Sequence, residues 1–330
     1  MSEFELDEDL PTEPEIPFEE ALKAILTEEL VPVHHLYRLS DLSAEEAMAF
    51  RAAWSKAPVE RKREVMRHLA DITEHNFVVD FQPLFVMALE DPDTETRIAG
   101  LDGLWDSTDV TLIPPIVEML HRENETEVRA AAAGSLAHYL LMSAWGEIED
   151  VPEGEIENAL LQTFRDSDTD LLVRRVALEA LGCINSEEIS SLIESAYEGA
   201  EHALQLSALF AMGNSADVKW LPIILDELES PYEENRREAA RAAGNLGHSD
   251  AIPLLAELAY DDDRELAAVA VSALGEIGGS QANAILQDMA QDIELEHLFL
   301  EIEEALEEAS WGSENLAFDL WLEDLADEEE

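Results

Sequence analysis

One arrangement of apolar and polar positions recurs through the middle of the chain. A short carboxylate-rich stretch is followed by a run of small apolar residues, and another apolar segment precedes each carboxylate-rich stretch. The clearest copies are EDPDTETRIAGLDGL (90–104), RENETEVRAAAAGSL (122–136), RDSDTDLLVRRVALEALG (165–182), SPYEENRREAARAAG (230–244) and YDDDRELAAVAVSALG (260–275). Because alanine and leucine are strong helix formers, each copy predicts two helices joined by a polar turn.

The copies return at intervals that suit a helical hairpin. Arg97 and Arg129 hold the same place in the first two copies, and their separation is one such interval. Later breaks follow at similar intervals, at Asn185, Gly213, Gly247 and Gly278. A two-helix unit cannot bury both of its faces alone, whereas stacked units can. We therefore predict an all-α fold: a right-handed α-solenoid of about six helical-hairpin repeats with helical caps.

The segment DAIPLLAELAYDDDRELAAVAVSALGEIG, residues 250–278, resembles a HEAT-like repeat of the phycobilisome-lyase type, and the unit before it is similar almost as closely. The resemblance extends over about two thirds of the chain. It implies a scaffold or adaptor that binds a protein partner along a concave face lined by the second helices of the units. It also implies an alternative function, as a chromophore lyase or a chaperone-like subunit of that type.

Breaks in the repeat pattern divide the chain into four expected regions. We predict an acidic, disordered N-terminal tail at 1–17 and a helical N-terminal cap at 18–80. The repeat solenoid is expected at 81–292, with an insertion at 142–156. Acidic C-terminal capping helices are expected at 293–330, because a solenoid needs a polar outer face at its ends.

The stretch DSDTD places aspartates at 166, 168 and 170, as the first residues of many calcium loops do. A calcium loop counted from Asp166 requires glycine at its sixth place and glutamate at its twelfth. Leu171 and Ala177 occupy those places. The same stretch aligns with the polar turns of the other copies, so we predict that its carboxylates cap the following helix.

The composition indicates a folded chain with an unusual charge. The 330 residues are 47% hydrophobic and include 76 acidic against 19 basic residues, for a formal net charge of −57. Such a charge repels nucleic acid and anionic membranes, so we expect neither as a direct ligand. It attracts basic surfaces, which favours a partner protein with a basic surface. Solubility or adaptation to a salty environment explains the charge equally well, and an acidic mimic of nucleic acid is a further alternative.

Several catalytic motifs are missing from the sequence. It contains no G-x-G-x-x-G, P-loop, G-x-S-x-G or H-E-x-x-H pattern. The deoxyhypusine hydroxylases, a HEAT-like family, bind iron through repeated His-Glu dipeptides, and none of the nine histidines here precedes a glutamate. Cys183, the single cysteine, ends a run of small residues and is predicted to be a core residue rather than a nucleophile. We therefore expect that the chain is not an enzyme and uses no cofactor.

The N-terminal residues lack the basic and apolar regions of a signal peptide. No apolar run approaches the roughly 18 residues that a membrane span needs. We expect a cytoplasmic protein that does not contact a membrane.

One group of residues is a weak candidate for a metal site. His68, Asp71 and His75 follow each other at i, i+3 and i+7 and so lie on one side of a predicted helix. Two histidines and a carboxylate could hold an ion such as Zn²⁺ if a second helix completed the site. A polar flank beside apolar core positions is the simpler interpretation of the same pattern.

Exposed apolar residues are the stronger candidates for partner binding. Trp145 lies in the polar insertion. A second candidate is the C-terminal apolar stripe formed by Leu316, Leu320, Trp321 and Leu325. The stripe could anchor a partner's groove or pack as a capping helix. The basic segment 51–67 is expected to pair with acidic residues of the same molecule.

Overall fold

The computed structural model describes residues 16–76 and 78–310, and it contains no β-strand within them. The all-α fold predicted from the sequence, an α-solenoid of helical hairpins, is confirmed. The described residues fall into two compact units, one formed by the residues up to Asp109 with Glu123–Ser135, the other by Val110–Arg122 with the residues from Leu136 onward.

In the part of the chain that the structure describes, the first unit contains six helices and the beginning of a longer one. The helices are α1 (Phe18–Thr27), α2 (Val33–Leu36), α3 (Ala44–Trp54), α4 (Val59–His75), α5 (Gln82–Ala88) and α6 (Thr94–Asp102). Helix α6 packs against both α4 and α5, and α1 packs against α2 and α3.

The second unit continues with helices of similar length. They are α7 (Ile113–Arg122), α8 (Thr126–Ala144, which begins in the first unit), α9 (Glu153–Arg165), α10 (Leu171–Leu181), α11 (Glu187–Tyr197), α12 (His202–Asn214), α13 (Leu221–Leu228), α14 (Glu233–Leu246), α15 (Ile252–Leu258), α16 (Arg264–Ile277), α17 (Gly279–Met289) and α18 (299–310). Short 3-10 turns at Val218–Trp220, Ser249–Ala251 and Ile293–Leu298 lead into α13, α15 and α18.

Two layers of helices build the second unit. Each even-numbered helix from α10 to α16 packs on the odd-numbered helix before it, which makes four hairpins. The even-numbered helices also pack on one another in succession, α10 on α12, α12 on α14 and α14 on α16. We call the even-numbered helices, including α18, the second helices.

Glycines set the close spacing of the second helices. Gly182, Gly213, Gly244 and Gly275 recur at a constant interval, and each faces an alanine of the next second helix. A Cβ added at these glycines would lie 2.8, 2.6, 3.0 and 2.8 Å from the Cα of Ala211, Ala242, Ala273 and Ala305, respectively. Any side chain would therefore push the helices apart. The expectation that Gly213 marks a break is wrong, because this glycine lies inside α12.

The acidic turns cap the second helices, as the sequence predicts. Asp170 accepts a hydrogen bond from the Leu172 N–H at 2.9 Å at the start of α10, and Asp166 accepts one from the Asp168 N–H at 3.0 Å. Asp263 receives the same kind of bond at the start of α16. Because such caps satisfy N–H groups that have no partner within the helix, the carboxylates of DSDTD are structural.

A second polar bond closes each turn from inside the hairpin. Gln205 Nε2 donates to the Gly199 carbonyl at 2.7 Å, and Arg236 Nη1 donates to the Ser230 carbonyl at 3.2 Å. Arg97 makes the equivalent bond, at 2.8 Å, to the Asp91 carbonyl. In all three cases the side chain reaches the carbonyl at position i−6, so one geometry recurs in three hairpins.

Candidate functional site

The exposed side chains of the second helices form one polar face in the second unit. The residue three positions before each spacing glycine lies on this face, in the order Glu179, Phe210, Arg241 and Ser272. The residue after each glycine forms a neighbouring row, Cys183, Asn214, Asn245 and Glu276. The Asn245 amide donates to the Asn214 side-chain oxygen at 2.6 Å across α14 and α12. We call this surface the second-helix face.

Charged side chains at the α10 end of the face satisfy one another. Ser207 donates to the Glu179 carboxylate at 2.5 Å, and Arg175 Nε donates to the Ser207 hydroxyl at 3.0 Å. Glu238 forms an ion pair of 3.1 Å with Arg241. Burial raises the pKa of both carboxyls, although Ser207 and Arg175 partly oppose this for Glu179, and Arg241 opposes it for Glu238.

A cavity of about 330 Å³ opens on the same face between α12, α14, α16 and α18. Phe210, Ala268 and Val269 supply apolar surface, while Arg241, Asn245, Ser272, Glu276 and Glu301 supply polar groups. The cavity therefore combines an aromatic ring and small aliphatic side chains with groups of both charges, which is typical of binding sites for small or extended ligands.

Glu276 is the unusual member of the cavity. Among the described residues it forms neither a hydrogen bond nor an ion pair, whereas Glu301 pairs with Arg264 at 3.2 Å. Neighbouring helices displace water from the Glu276 carboxyl and thereby raise its pKa, and repulsion by Glu308 on α18 raises it further. Part of the side chain stays in contact with solvent. A cation placed beside this carboxylate would favour its charged form.

The structure shows only part of the predicted metal group in contact. His68 Nδ1 lies 3.8 Å from a carboxylate oxygen of Asp71, and His75 Nδ1 lies 2.9 Å from the Asp71 carbonyl oxygen instead. Across residues 16–76 and 78–310, no three His, Cys, Asp or Glu side chains are grouped so that they could hold a metal ion. The metal site at His68, Asp71 and His75 stays a prediction.

Trp145 follows the last residue of α8, and 65% of its surface is exposed. The partner-binding role predicted for this side chain is thus sterically open and stays a prediction. The C-terminal stripe of Leu316, Leu320, Trp321 and Leu325 lies outside the described residues. Cys183 is largely enclosed, and burial raises the pKa of its thiol to about 11.

Sequence reasoning missed the cavity and its lining residues. Phe210 and Glu276 belong to different hairpins and lie far apart in the chain, so no local motif joins them. The signal that could have placed them on one face is the regular recurrence of the spacing glycines, since each lies one or three positions from such a glycine.

The hairpins and their second-helix packing identify a helical-repeat protein. Residues 221–307, which include α13 to α17, match the family model of HEAT repeats. The resemblance to HEAT-like repeats noted in the sequence is therefore confirmed for this part of the chain.

Individual proteins similar to the chain fall into two groups. Over 119 residues it is 29% identical to mouse (Mus musculus) deoxyhypusine hydroxylase; the match covers 36% of this chain and 39% of the relative, so the chain spans about two fifths of that protein's length. Among solved structures, the complex of CpcE and CpcF of phycocyanin lyase from Nostoc sp. PCC7120 is 17% identical, with 89% of this chain and 99% of that chain covered and a TM-score of 0.46. Human deoxyhypusine hydroxylase in complex with glycerol is 16% identical over 89% and 96% of the two chains, with a TM-score of 0.35.

The similarity to mouse deoxyhypusine hydroxylase corrects one expectation. The sequence was expected to encode a protein that is not an enzyme, and part of it is instead related to a protein named as an enzyme. The expectation failed because the missing His-Glu dipeptides test one ligand pattern only, whereas the shared helical repeats do not depend on that pattern.

Membrane insertion was also tested. No helix within the described part of the chain combines the length and the apolar composition that crossing a bilayer requires.

Proposed function

We propose that this protein is a helical scaffold that binds a partner protein through the second-helix face and takes a lysine or arginine side chain of that partner into the cavity beside Glu276. HEAT repeats generally mediate protein interactions, and the repeat match covers α14 and α16, which supply most of the cavity wall. The single observation that carries the proposal is the Glu276 carboxylate, which has no ion-pair partner among the described residues and borders apolar surface.

The chemistry of the cavity suits a basic side chain better than other protein groups. The aliphatic stem of a lysine or arginine can pack against Phe210 and Val269 while its charged end reaches Glu276. The ring of Phe210 offers a further, weaker attraction for a cation. An acidic side chain would instead meet Glu276 and Glu301 and be repelled.

Charge outside the cavity supports the same class of partner. The formal net charge of −57 raises the encounter rate with a basic protein at low ionic strength. At 0.15 M salt the screening length is about 8 Å, so the cavity carboxylates act locally while the remaining charge steers the approach.

The experiment compares three tagged full-length proteins as baits in a lysate of the source cells, at 50 mM and at 1 M NaCl. The baits are the wild type, Glu276→Gln, and Glu257→Gln as a matched control. Glu257 is an exposed carboxylate on α15, a helix of the other layer. We expect a basic protein to be captured by the wild type and by Glu257→Gln at low salt, and to be lost with Glu276→Gln and at 1 M NaCl.

Equal capture by wild type and Glu276→Gln would contradict the proposed site even if a partner were found. Capture that does not change between the two salt concentrations would contradict the electrostatic basis of the interaction.

The mouse relative favours a second candidate function. Its name describes a hydroxylase acting on deoxyhypusine, and the matched stretch is 29% identical. Incubation of the purified chain with a deoxyhypusine-containing protein and iron, followed by mass spectrometry, tests this activity. A mass increase of one oxygen atom that requires the chain would support it. The described residues group no set of metal ligands, so we derive no chemical step for this candidate.

A further inference from the structure

An apolar groove runs along the surface of the first unit between α1 and α3. Its volume is about 550 Å³, within the range of roughly 300–1,000 Å³ that is usual for binding pockets. Leu22 and Leu26 of α1 form one wall, and Ala49 and Ala53 of α3 form the other. The groove is remote in sequence from Glu276, so it does not depend on the function proposed above.

The spacing of the wall residues makes the groove straight. Leu22 and Leu26 are four positions apart, as are Ala49 and Ala53, and residues at i and i+4 lie above one another on one face of a helix. Ala49 is exposed and Ala53 is half-buried, so the small side chains of α3 leave open the space that larger residues would fill. A helical segment with apolar residues at matching intervals fits such a groove.

Two lysines border the groove, and neither pairs with a described carboxylate. Lys23 follows Leu22 on α1, and Lys56 lies just beyond the end of α3. Both side chains are exposed. The other two lysines of the chain are bonded: Lys62 pairs with Asp91 at 2.7 Å, and Lys219 pairs with Asp217 at 2.8 Å.

These lysines are exceptional in a chain with four acidic residues for every basic one. Among the described residues, Glu19 is the single carboxylate that lines the groove, and it lies in the first turn of α1, where it complements the positive end of the helix dipole. The local charge of the groove is therefore positive, opposite to that of the whole chain.

We propose that the groove between α1 and α3 binds an amphipathic, acidic helical segment of a partner protein. The apolar residues of this segment pack between the leucines and alanines, and its carboxylates pair with Lys23 and Lys56. The charge of the groove selects this occupant, because a basic or neutral helix would leave both lysines without a partner.

A fluorescence-anisotropy titration of the full-length protein at 150 mM NaCl tests the assignment. The probe is a fluorescein-labelled synthetic peptide of about 15 residues with leucine at i, i+3, i+4 and i+7 and glutamate elsewhere. The comparison peptide carries lysine in place of every glutamate. We expect the acidic probe to bind wild type with micromolar affinity, and the affinity to fall at least tenfold in the double variant K23E/K56E.

Two further variants separate the groove from general charge effects. Ala49→Trp fills the groove without changing charge and should weaken the acidic probe by a similar factor. Lys219→Glu makes the same charge change in the second unit and should leave the affinity within about twofold.

Three outcomes would overturn the proposal: no binding of the acidic probe, tighter binding of the basic comparison peptide at this groove, or an equal loss of affinity in Lys219→Glu. If removal of residues 1–15 raises the affinity of the probe tenfold or more, the groove is occupied by the chain's own acidic segment and not by a partner. A dimer that K23E/K56E converts to a monomer in light scattering would assign the groove to a second copy instead.

Discussion

Lys62 and Asp91 form an ion pair of 2.7 Å in which 8% and 4% of the side-chain surfaces remain exposed. Trp54 Nε1 donates to the same carboxylate oxygen at 3.0 Å, and the lysine ammonium lies 5.6 Å from the centre of the Trp54 ring. The pair thus ties α3 and α4 to the turn between α5 and α6. Arg63, one residue further, pairs with Asp93 at 2.6 Å, so the basic segment does pair with acidic residues of the same molecule, as predicted.

Removing one partner of this pair should destabilise the first unit strongly. Asp91→Ala leaves a buried ammonium without a counter-ion, and breaking a buried pair in this way costs about 3–5 kcal/mol. Urea unfolding followed by circular dichroism measures the change. Glu118→Ala, which breaks an exposed pair with Arg122, is the control and should cost about 0–1 kcal/mol. A loss below about 1 kcal/mol for Asp91→Ala would show that the pair is not a major source of stability.

The spacing glycines should not tolerate even one added methyl group. Gly213→Ala would place its Cβ 2.6 Å from the Ala242 Cα, and overpacking of this kind costs about 1–3 kcal/mol. Gly154→Ala is the matched control, because this glycine lies in α9 with nothing within 4 Å of an added Cβ. The control should stabilise the protein by up to about 1 kcal/mol. Thermal unfolding of both variants should therefore show shifts in melting temperature of opposite sign.

The stability contributed by Glu276 should depend on pH in a defined direction. Its pKa is raised in the folded state, so the protonated carboxyl is favoured by folding and the charged one is not. The favourable contribution is present below the unfolded pKa, about 4.3, and is lost as pH rises through the folded pKa. Glu276→Gln should gain stability relative to wild type as pH rises from 4 to 7, measured by urea unfolding. Glu304→Gln, an exposed carboxyl on α18, is the comparison. A difference that shrinks with rising pH would contradict the raised pKa.

The Cys183 thiol should react slowly in the folded protein. With its pKa raised to about 11, the thiolate fraction at pH 8 is on the order of 100-fold below that of an ordinary cysteine. Iodoacetamide labelling at pH 8, with and without 8 M urea, compares the two states by mass spectrometry. Equal rates in both conditions would mean that the thiol is freely accessible, contrary to its prediction as a core residue.

Replacing Trp145 should separate binding from folding. Because the side chain is 65% exposed, Trp145→Ser should change the free energy of unfolding by no more than about 0.5 kcal/mol. If Trp145 contacts the partner, as the sequence predicts, the variant should capture less of that partner at both salt concentrations. Unchanged capture together with unchanged stability would remove Trp145 from the binding surface.

The hairpins could be predicted from sequence because their signals are local. The N-cap aspartates at 93, 170 and 263 and the alanine-rich runs after them lie within a few residues of the turns that they define. The candidate cavity is not local in this sense. Phe210 and Glu276 share a surface only because three successive second helices stack at one spacing, and the polar residues between them carry no distinctive pattern.

The unpaired lysines of the groove illustrate the same limit. In the sequence, Lys56 and Lys62 belong to one basic segment and appear equivalent. In the structure, Lys62 is buried against Asp91, whereas Lys56 lies at the open edge of the groove. Only the packing of α4 against α6 separates the two roles.

The constant interval between the spacing glycines makes the middle of the second unit modular in length. Deleting residues 214–244 would join Gly213 to Asn245, and the shortened helix would present its glycine to Ala273 in place of Ala242. Each contact would then be replaced by one of the same kind. The chain could thus lose or duplicate a segment of this one length as a single genetic event and keep a continuous stack, whereas a change of any other length would bring a glycine out of line with its alanine.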